Sequence, residues 1–235
     1  MRSELFIDGK WRKGEGDRFA SHDPATGDTV WEGRAATPDD VAEAMAAARL
    51  AFPAWAKHPV DERVAIARAF SKAIEKRADE LARTISREMG KVLWDARSEV
   101  QAIIGKVEIA IRAQAERAGA KEEKNAFGVT VLAHHPHGVL AVFGPFNFPG
   151  HLPNGHIVPA LLAGNCVLFK PSEFTPGVGA LLDSLGERAC NGDALFNRAP
   201  GPRGKCETRR RHGFGDIIGR RGASFPNRVA GGGIV

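Results

Sequence analysis

Val139-Leu-Ala-Val-Phe-Gly-Pro-Phe-Asn-Phe-Pro149 and Val167-Leu-Phe-Lys-Pro-Ser-Glu173 are two short apolar runs, each breaking into a sharp turn. Between them, residues 149–163 read as a helix, closed by Gly164-Asn165, residue types that commonly follow a helix end. Strand, helix and strand in this order outline a βαβ unit. Its strands are parallel, so both turns leave the same edge of the sheet, where α/β folds bind ligands. Asn147 lies in the first turn, and Lys170 and Glu173 lie in the second.

Helices dominate the chain upstream of this unit. Thr37-Pro-Asp-Asp40 is a helix start: Thr37 can cap, Pro38 suits the first helical position, and the two acids favour the positive helix end. Val41, Ala44, Met45 and Ala48 then form one apolar face, and Pro53 is expected to stop the helix. A second helix is expected from about Asp61, with Ile66, Phe70, Ala73, Ile74 and Leu81 at helical spacing, and a third from about Ser98 to Arg117, carrying Val100, Ile103, Ile104, Val107 and Ile111. The charged residues of these helices read as solvated outer faces. Leu5–Trp11 reads as a strand turning at Asp8-Gly9, a hairpin signal, and another strand is expected around Thr29–Glu32. Residues 121–126 read as a polar break before an extended segment at Val129–His135.

Residues 1–182 carry 23 basic and 23 acidic side chains, whereas residues 183–235 carry 10 and 5, so the tail supplies the whole net charge of +5. The main body therefore has no basic footprint for nucleic acid. The tail holds 11 Gly and 9 Arg without lasting apolar periodicity, and is expected to be disordered. No apolar run is long enough to span a membrane, the N-terminus has no signal-peptide core, and Cys166, Cys190 and Cys206 lack disulfide or metal spacing. A cytoplasmic protein is expected, with no membrane or nucleic-acid partner.

An amide at the end of a buried strand, held between Pro145 and Pro149, can donate to a developing oxyanion; equally, Asn147 can bond its own turn. Lys170 and Glu173 can hold a ribose or form a plain surface ion pair. His134, His135 and His137 have no accompanying carboxylate or Cys and read as structural or exposed; no metal is expected. Cys166, inside an apolar strand, reads as a small core residue. Gly213-Phe-Gly-Asp-Ile-Ile-Gly219 has the wrong spacing for a dinucleotide turn.

Taken together, Gly144-Pro-Phe-Asn-Phe-Pro149, Pro159-Ala-Leu-Leu-Ala-Gly-Asn165, Phe169-Lys-Pro-Ser-Glu-Phe-Thr-Pro176 and Ser86-Arg-Glu-Met-Gly-Lys91 followed by Glu99 resemble the aldehyde dehydrogenase superfamily over residues 4–182. Gly150-His-Leu-Pro-Asn-Gly-His156 resembles the succinylglutamate semialdehyde dehydrogenases of arginine catabolism. The resemblance implies an α/β fold: the N-terminal part of a dinucleotide-binding domain, with a helical N-terminal region, a parallel βαβ sheet and a segment at 127–137 of oligomerisation type. It implies NAD-dependent oxidation of an aldehyde to an acid, with NADP as an alternative acceptor, through a cysteine thiohemiacetal and a thioester that glutamate-activated water hydrolyses. In that scheme Asn147 stabilises the oxyanion. Phe143, Gly144 and Phe146 line the cofactor cleft, and Lys170 and Glu173 hold the adenosine ribose. Phe148, His151, Leu152 and Gly155 line the aldehyde channel, and full-length relatives are homo-oligomers.

The family's nucleophilic Cys and general-base Glu have no match in this sequence, and the pattern is lost near 183, as a shift of reading frame would produce. The chain as given is therefore expected to be inactive. A competing reading is a non-catalytic interaction protein whose Arg/Gly tail binds RNA.

Overall fold

In the computed structural model, which describes residues 3–189, β1 (Leu5–Ile7) and β2 (Lys10–Arg12) form an antiparallel hairpin. Its turn residues Asp8 and Gly9 have φ of 52° and 70°, the left-handed pair that a tight hairpin requires. A second hairpin joins β3 (Arg18–His22) to β4 (Thr29–Arg34) and buries Trp31.

Helix α1 (Pro38–Lys57) starts with the expected reciprocal cap: the Asp40 amide donates to Thr37 Oγ1 at 3.2 Å and the Thr37 amide donates to Asp40 Oδ2 at 2.9 Å. The bond from the Thr37 amide, aided by Arg12 at 3.0 Å, holds the Asp40 carboxyl below its usual range. Pro53 does not stop this helix but lies within it. The helix continues because Trp55 packs beside Val142, Ile157 and Leu161 and donates its indole N–H to Leu161 O at 3.2 Å. Buried Arg63 closes the end, donating to His58 O at 2.8 Å and, at longer range, to the carbonyls of Trp55 and Ala56.

What reads as one helix beyond Asp61 is two. α2 (Val60–Lys76) ends at Arg77, whose φ of −122° leaves the helical range, and Leu81 belongs to α3 (Ala78–Met89). α4 (Leu93–Arg117) begins at Leu93, ahead of Ser98. Residues 121–126 are not a break: β5 (Lys121–Asn125) pairs antiparallel with β6 (Gly128–Leu132) in a fully exposed hairpin. With neither face covered among the described residues, no alternation of apolar and polar residues was there to mark β5.

The βαβ unit is as expected. β7 (Val139–Phe143) and β8 (Cys166–Lys170) are parallel, in register from Val139↔Cys166 to Phe143↔Lys170, and α5 (His151–Leu162) crosses between them. α6 (Pro176–Ala189) follows. The core joins Ile74, Leu81, Ile85, Val100, Ile103 and Val107 of α2–α4 to Val158 and Leu162 of α5 and Val178 of α6. Residues 183–189, assigned to the tail from composition, are helical. Leu185 is 1% exposed in the core, and Glu187 accepts from the Trp11 indole at 3.0 Å. Burial of Leu185 and the Trp11–Glu187 bond tie this segment to the body and contribute towards the cost of ordering it. The rest of the expected tail lies outside the described residues.

Not every helical charge is solvated. Glu88 of α3 is buried, where Oε1 accepts from the Ser21 hydroxyl at 2.6 Å and the Gly177 amide at 2.9 Å, and Oε2 accepts from the Val178 amide at 2.9 Å. It thus caps α6 from a distant helix, complementing the positive end of the helix dipole. Burial outweighs these three bonds and raises the Glu88 pKa. A raised folded-state pKa means that its contribution to stability is complete below the ordinary glutamate range and is lost as pH rises through the folded-state value. The stability of the parent chain minus that of E88Q is expected to fall as pH rises from about 4 to about 8, measured by denaturant unfolding at each pH; a pH-independent difference would contradict this.

Candidate functional site

Parallel pairing places both βα turns at one sheet edge. Phe143 and Lys170 are partners in the last register position, and the Gly144 amide donates to Lys170 O at 2.9 Å, locking the turns side by side. A Cβ on Gly144 would meet Phe169, Pro153 and Pro171 within 3.4 Å, so the turn presses close to its neighbours.

Asn147 is exposed beyond this edge, and its side-chain amide makes no hydrogen bond to any described residue. It does not bond its own turn. Around it stand exposed Phe143, Phe146, Phe148 and Leu152, with Phe146 packed edge-on against Phe174 at 6.0 Å and Phe148 edge-on to His151 at 6.3 Å. Lys170 and Glu173 are 63% and 65% exposed, 3.8 Å apart, and open to a ligand. Gly155 lies one turn along α5 from His151, and a Cβ there would touch Lys106 Cε at 3.4 Å. His151 Nδ1 is buried without a partner.

The segment carrying Asn147 is held from beneath by two residues whose positions the sequence marked but whose role it did not. Glu99 of α4 is 1% exposed at its side chain; its Oε1 accepts from the amides of Gly150 at 3.1 Å and His151 at 3.2 Å. Its Oε2 accepts from Lys91 Nζ at 2.8 Å. Lys91, 9% exposed, also donates to Asn147 O at 3.3 Å and lies 4.1 Å from the Phe148 ring centroid. Gly150 suits the close approach, because a Cβ there would come within 2.5 Å of Ile103 Cδ1 and the Ile103 side chain would have to shift.

The sequence pattern of the aldehyde dehydrogenase family matches residues 11–208. The chain belongs to this family. The match runs on to residue 208, past the point near 183 where the family pattern was expected to be lost. N-succinylglutamate 5-semialdehyde dehydrogenase 2 of Caulobacter vibrioides is 54% identical over 203 residues, covering 86% of this chain and 42% of the relative. N-succinylglutamate 5-semialdehyde dehydrogenase of Paraburkholderia xenovorans is 58% identical over 76% of this chain and 37% of the relative. The chain thus spans about two fifths of the length of these relatives. Among solved structures, NADP-dependent glyceraldehyde-3-phosphate dehydrogenase of Bacillus halodurans, complexed with NADP, superposes with a TM-score of 0.75 at 25% identity, over 80% of this chain and 41% of that one.

Among the described residues, Cys166 is buried and burial pushes its thiol up to about 11. No described group of three or more His, Cys, Asp or Glu could hold a metal, and His134, His135 and His137 are all exposed. No described helix is long and apolar enough to cross a membrane. Cys190, Cys206 and the Gly213–Gly219 run lie outside the described residues. Cys166 is expected to resist iodoacetamide in the folded chain at pH near 8 and to react fully on denaturation, as read by peptide mass spectrometry; rapid native labelling would place it outside the core.

Proposed function

We propose that these residues form the oxyanion and ribose half of a site that oxidises an aldehyde to a carboxylic acid with NAD. The aldehyde best supported is N-succinylglutamate 5-semialdehyde, from the names of the relatives and the Gly150–His156 segment. The observation that carries this reading is the unbonded Asn147 amide beside the open Lys170–Glu173 pair, at one edge of β7 and β8.

The residues fit the cofactor. Glu173 accepts from ribose hydroxyls, Lys170 donates to them, and Phe143, Gly144 and Phe146 offer the cleft wall. A carboxylate near the 2′ position repels a 2′-phosphate, which favours NAD over NADP. When bound, NAD supplies the hydride acceptor. Asn147 donates to the substrate oxygen as it gains negative charge, an interaction whose loss typically costs about 10²–10³ in rate. Phe148, His151, Leu152 and Gly155 receive the remainder of the aldehyde, and the absence of a side chain at Gly155 leaves room for a long one.

The described residues offer no reactive thiolate, because Cys166 is buried with a raised pKa. This supports the reading that the chain as given makes no steady turnover by itself; Cys190 and Cys206 lie outside the described residues. The exposed hairpin of β5 and β6, with Phe127, Val129, Val131 and Leu132 uncovered, suits pairing between copies through 127–137, as the family resemblance implies.

Calorimetric titration of the purified chain is expected to give NAD binding at least about tenfold tighter than NADP, with the difference narrowed in E173Q. Equal binding of both, or an unaffected E173Q, would remove the ribose assignment. Steady NAD-dependent conversion of N-succinylglutamate semialdehyde by this chain would overturn the half-site reading.

A further inference from the structure

We propose that Lys91 and Glu99 are positioning residues for Asn147, a single buried ion pair that fixes the backbone from its carbonyl onward into α5. The inference rests on the assignment of Asn147 as the oxyanion amide. An amide that stabilises a transition state must be held in place before the charge develops, and its own side chain has no described partner to hold it. The backbone therefore sets where its Cα–Cβ bond points, and with it the positions the amide can reach. Lys91 Nζ grips the Asn147 carbonyl at 3.3 Å, and Glu99 Oε1 grips the Gly150 and His151 amides at 3.1 and 3.2 Å. The 2.8 Å contact between Lys91 and Glu99 closes the clamp. Lys91 adds a second hold, its ammonium lying 4.1 Å from the Phe148 ring centroid. Asp95, 3.8 Å from Lys91 Nζ and more exposed, faces the same ammonium but touches neither end of the segment.

Lys91 and Glu99 both contact the main chain of this segment rather than the Asn147 side chain, so both act through the backbone. The positive charge of Lys91 polarises the Asn147 peptide, and Pro149 and Gly150 carry the constraint into α5. Glu88 provides a matched control. It is an equally buried glutamate that accepts from two amides at the start of a neighbouring helix, but that helix is α6 and the segment at 144–151 is out of its reach.

The test uses the full chain labelled with ¹⁵N at Asn, Gly and His, in the parent, K91M, K91R, E99Q and E88Q. Amide hydrogen exchange is read at Gly150 and His151, the two amides that donate to Glu99, together with the Asn147 side-chain NH₂ signal. K91M and E99Q are expected to speed exchange at these amides by about tenfold or more, the scale of a lost charge-assisted hydrogen bond, and to broaden or split the Asn147 NH₂ pair. K91R is expected to restore both, since it keeps the charge and the donors. E88Q is expected to speed exchange at Gly177 while leaving the Asn147 signals unchanged. If K91M does not fold, E99Q, which preserves the shape of glutamate, decides the question. Unchanged Asn147 signals in E99Q, or the same change in E88Q, would overturn the proposal. NAD titration of the same samples keeps the two readings apart: loss of NAD discrimination with an intact clamp counts against the functional reading alone.

Discussion

Two glutamates buried among apolar helices need a complete set of partners, and the placement of the βαβ unit depends on their having it. An ionised carboxylate out of water is tolerated when each oxygen is matched, and stripping one member from a buried pair costs about 3–5 kcal/mol. Glu99 meets this demand with two amides of α5 and the ammonium of Lys91; Glu88 meets it with two amides of α6 and the hydroxyl of Ser21. In each case the carboxylate completes orphan N–H groups at a helix start, and the helix dipole in turn favours the negative charge. α5 and α6 follow the two strands of the unit, so α4 holds α5 through the Lys91–Glu99 pair and α3 holds α6 through hydrogen bonds to the Glu88 carboxyl, each in addition to apolar packing.

The same constraint divides the site into a rigid and an open half. Gly150 provides no side-chain cap for α5, so Glu99 takes that role from another helix. The glycine also allows α4 to approach closely enough for the carboxylate to reach. Asn147 is thus carried on a segment fixed by Pro145, Pro149 and the Lys91–Glu99 pair. Lys170 and Glu173 have no such support: at 3.8 Å and more than half exposed, they are a weak pair whose partners water or a ligand readily replaces. A reacting centre needs the first kind of group, and a dissociable cofactor suits the second.

The parts of the fold that were legible in the sequence are those governed by local chemistry. Asp8-Gly9 specifies its turn, Thr37–Asp40 its cap, and the apolar runs at 139–143 and 166–170 their strands, because backbone conformation and short β-branched, apolar runs leave local marks. What was lost depended on distant partners. Pro53 is a local stop signal, overridden by Trp55 docking near Leu161 and by Arg63 at the helix end. The break at Arg77 falls where the apolar spacing runs on from Ile74 to Leu81 as if one helix continued. β5 lacks a buried face and so lacks a pattern. Glu88 and Glu99 did leave a trace: Glu88 follows Leu81 and Ile85 on one helical stripe, and Glu99 precedes Ile103 by four residues. A charge on an apolar stripe is a buried charge in need of partners, and that spacing was the available signal. The amides that meet it belong to residues 150, 151, 177 and 178, which no local pattern links to α3 or α4.

The register of the parallel pair also decides which chemistry this edge can and cannot perform. Cys166 faces Val139 at one end of the strands, whereas Lys170 faces Phe143 at the other. Four residues of parallel strand at about 3.3 Å each separate the thiol's position from the site edge by about 13 Å. Burial opposes its ionisation at that position. Distance and pKa therefore exclude the same residue independently. The described edge can bind, orient and stabilise negative charge on oxygen, but the nucleophile that creates that charge has to come from outside β7 and β8.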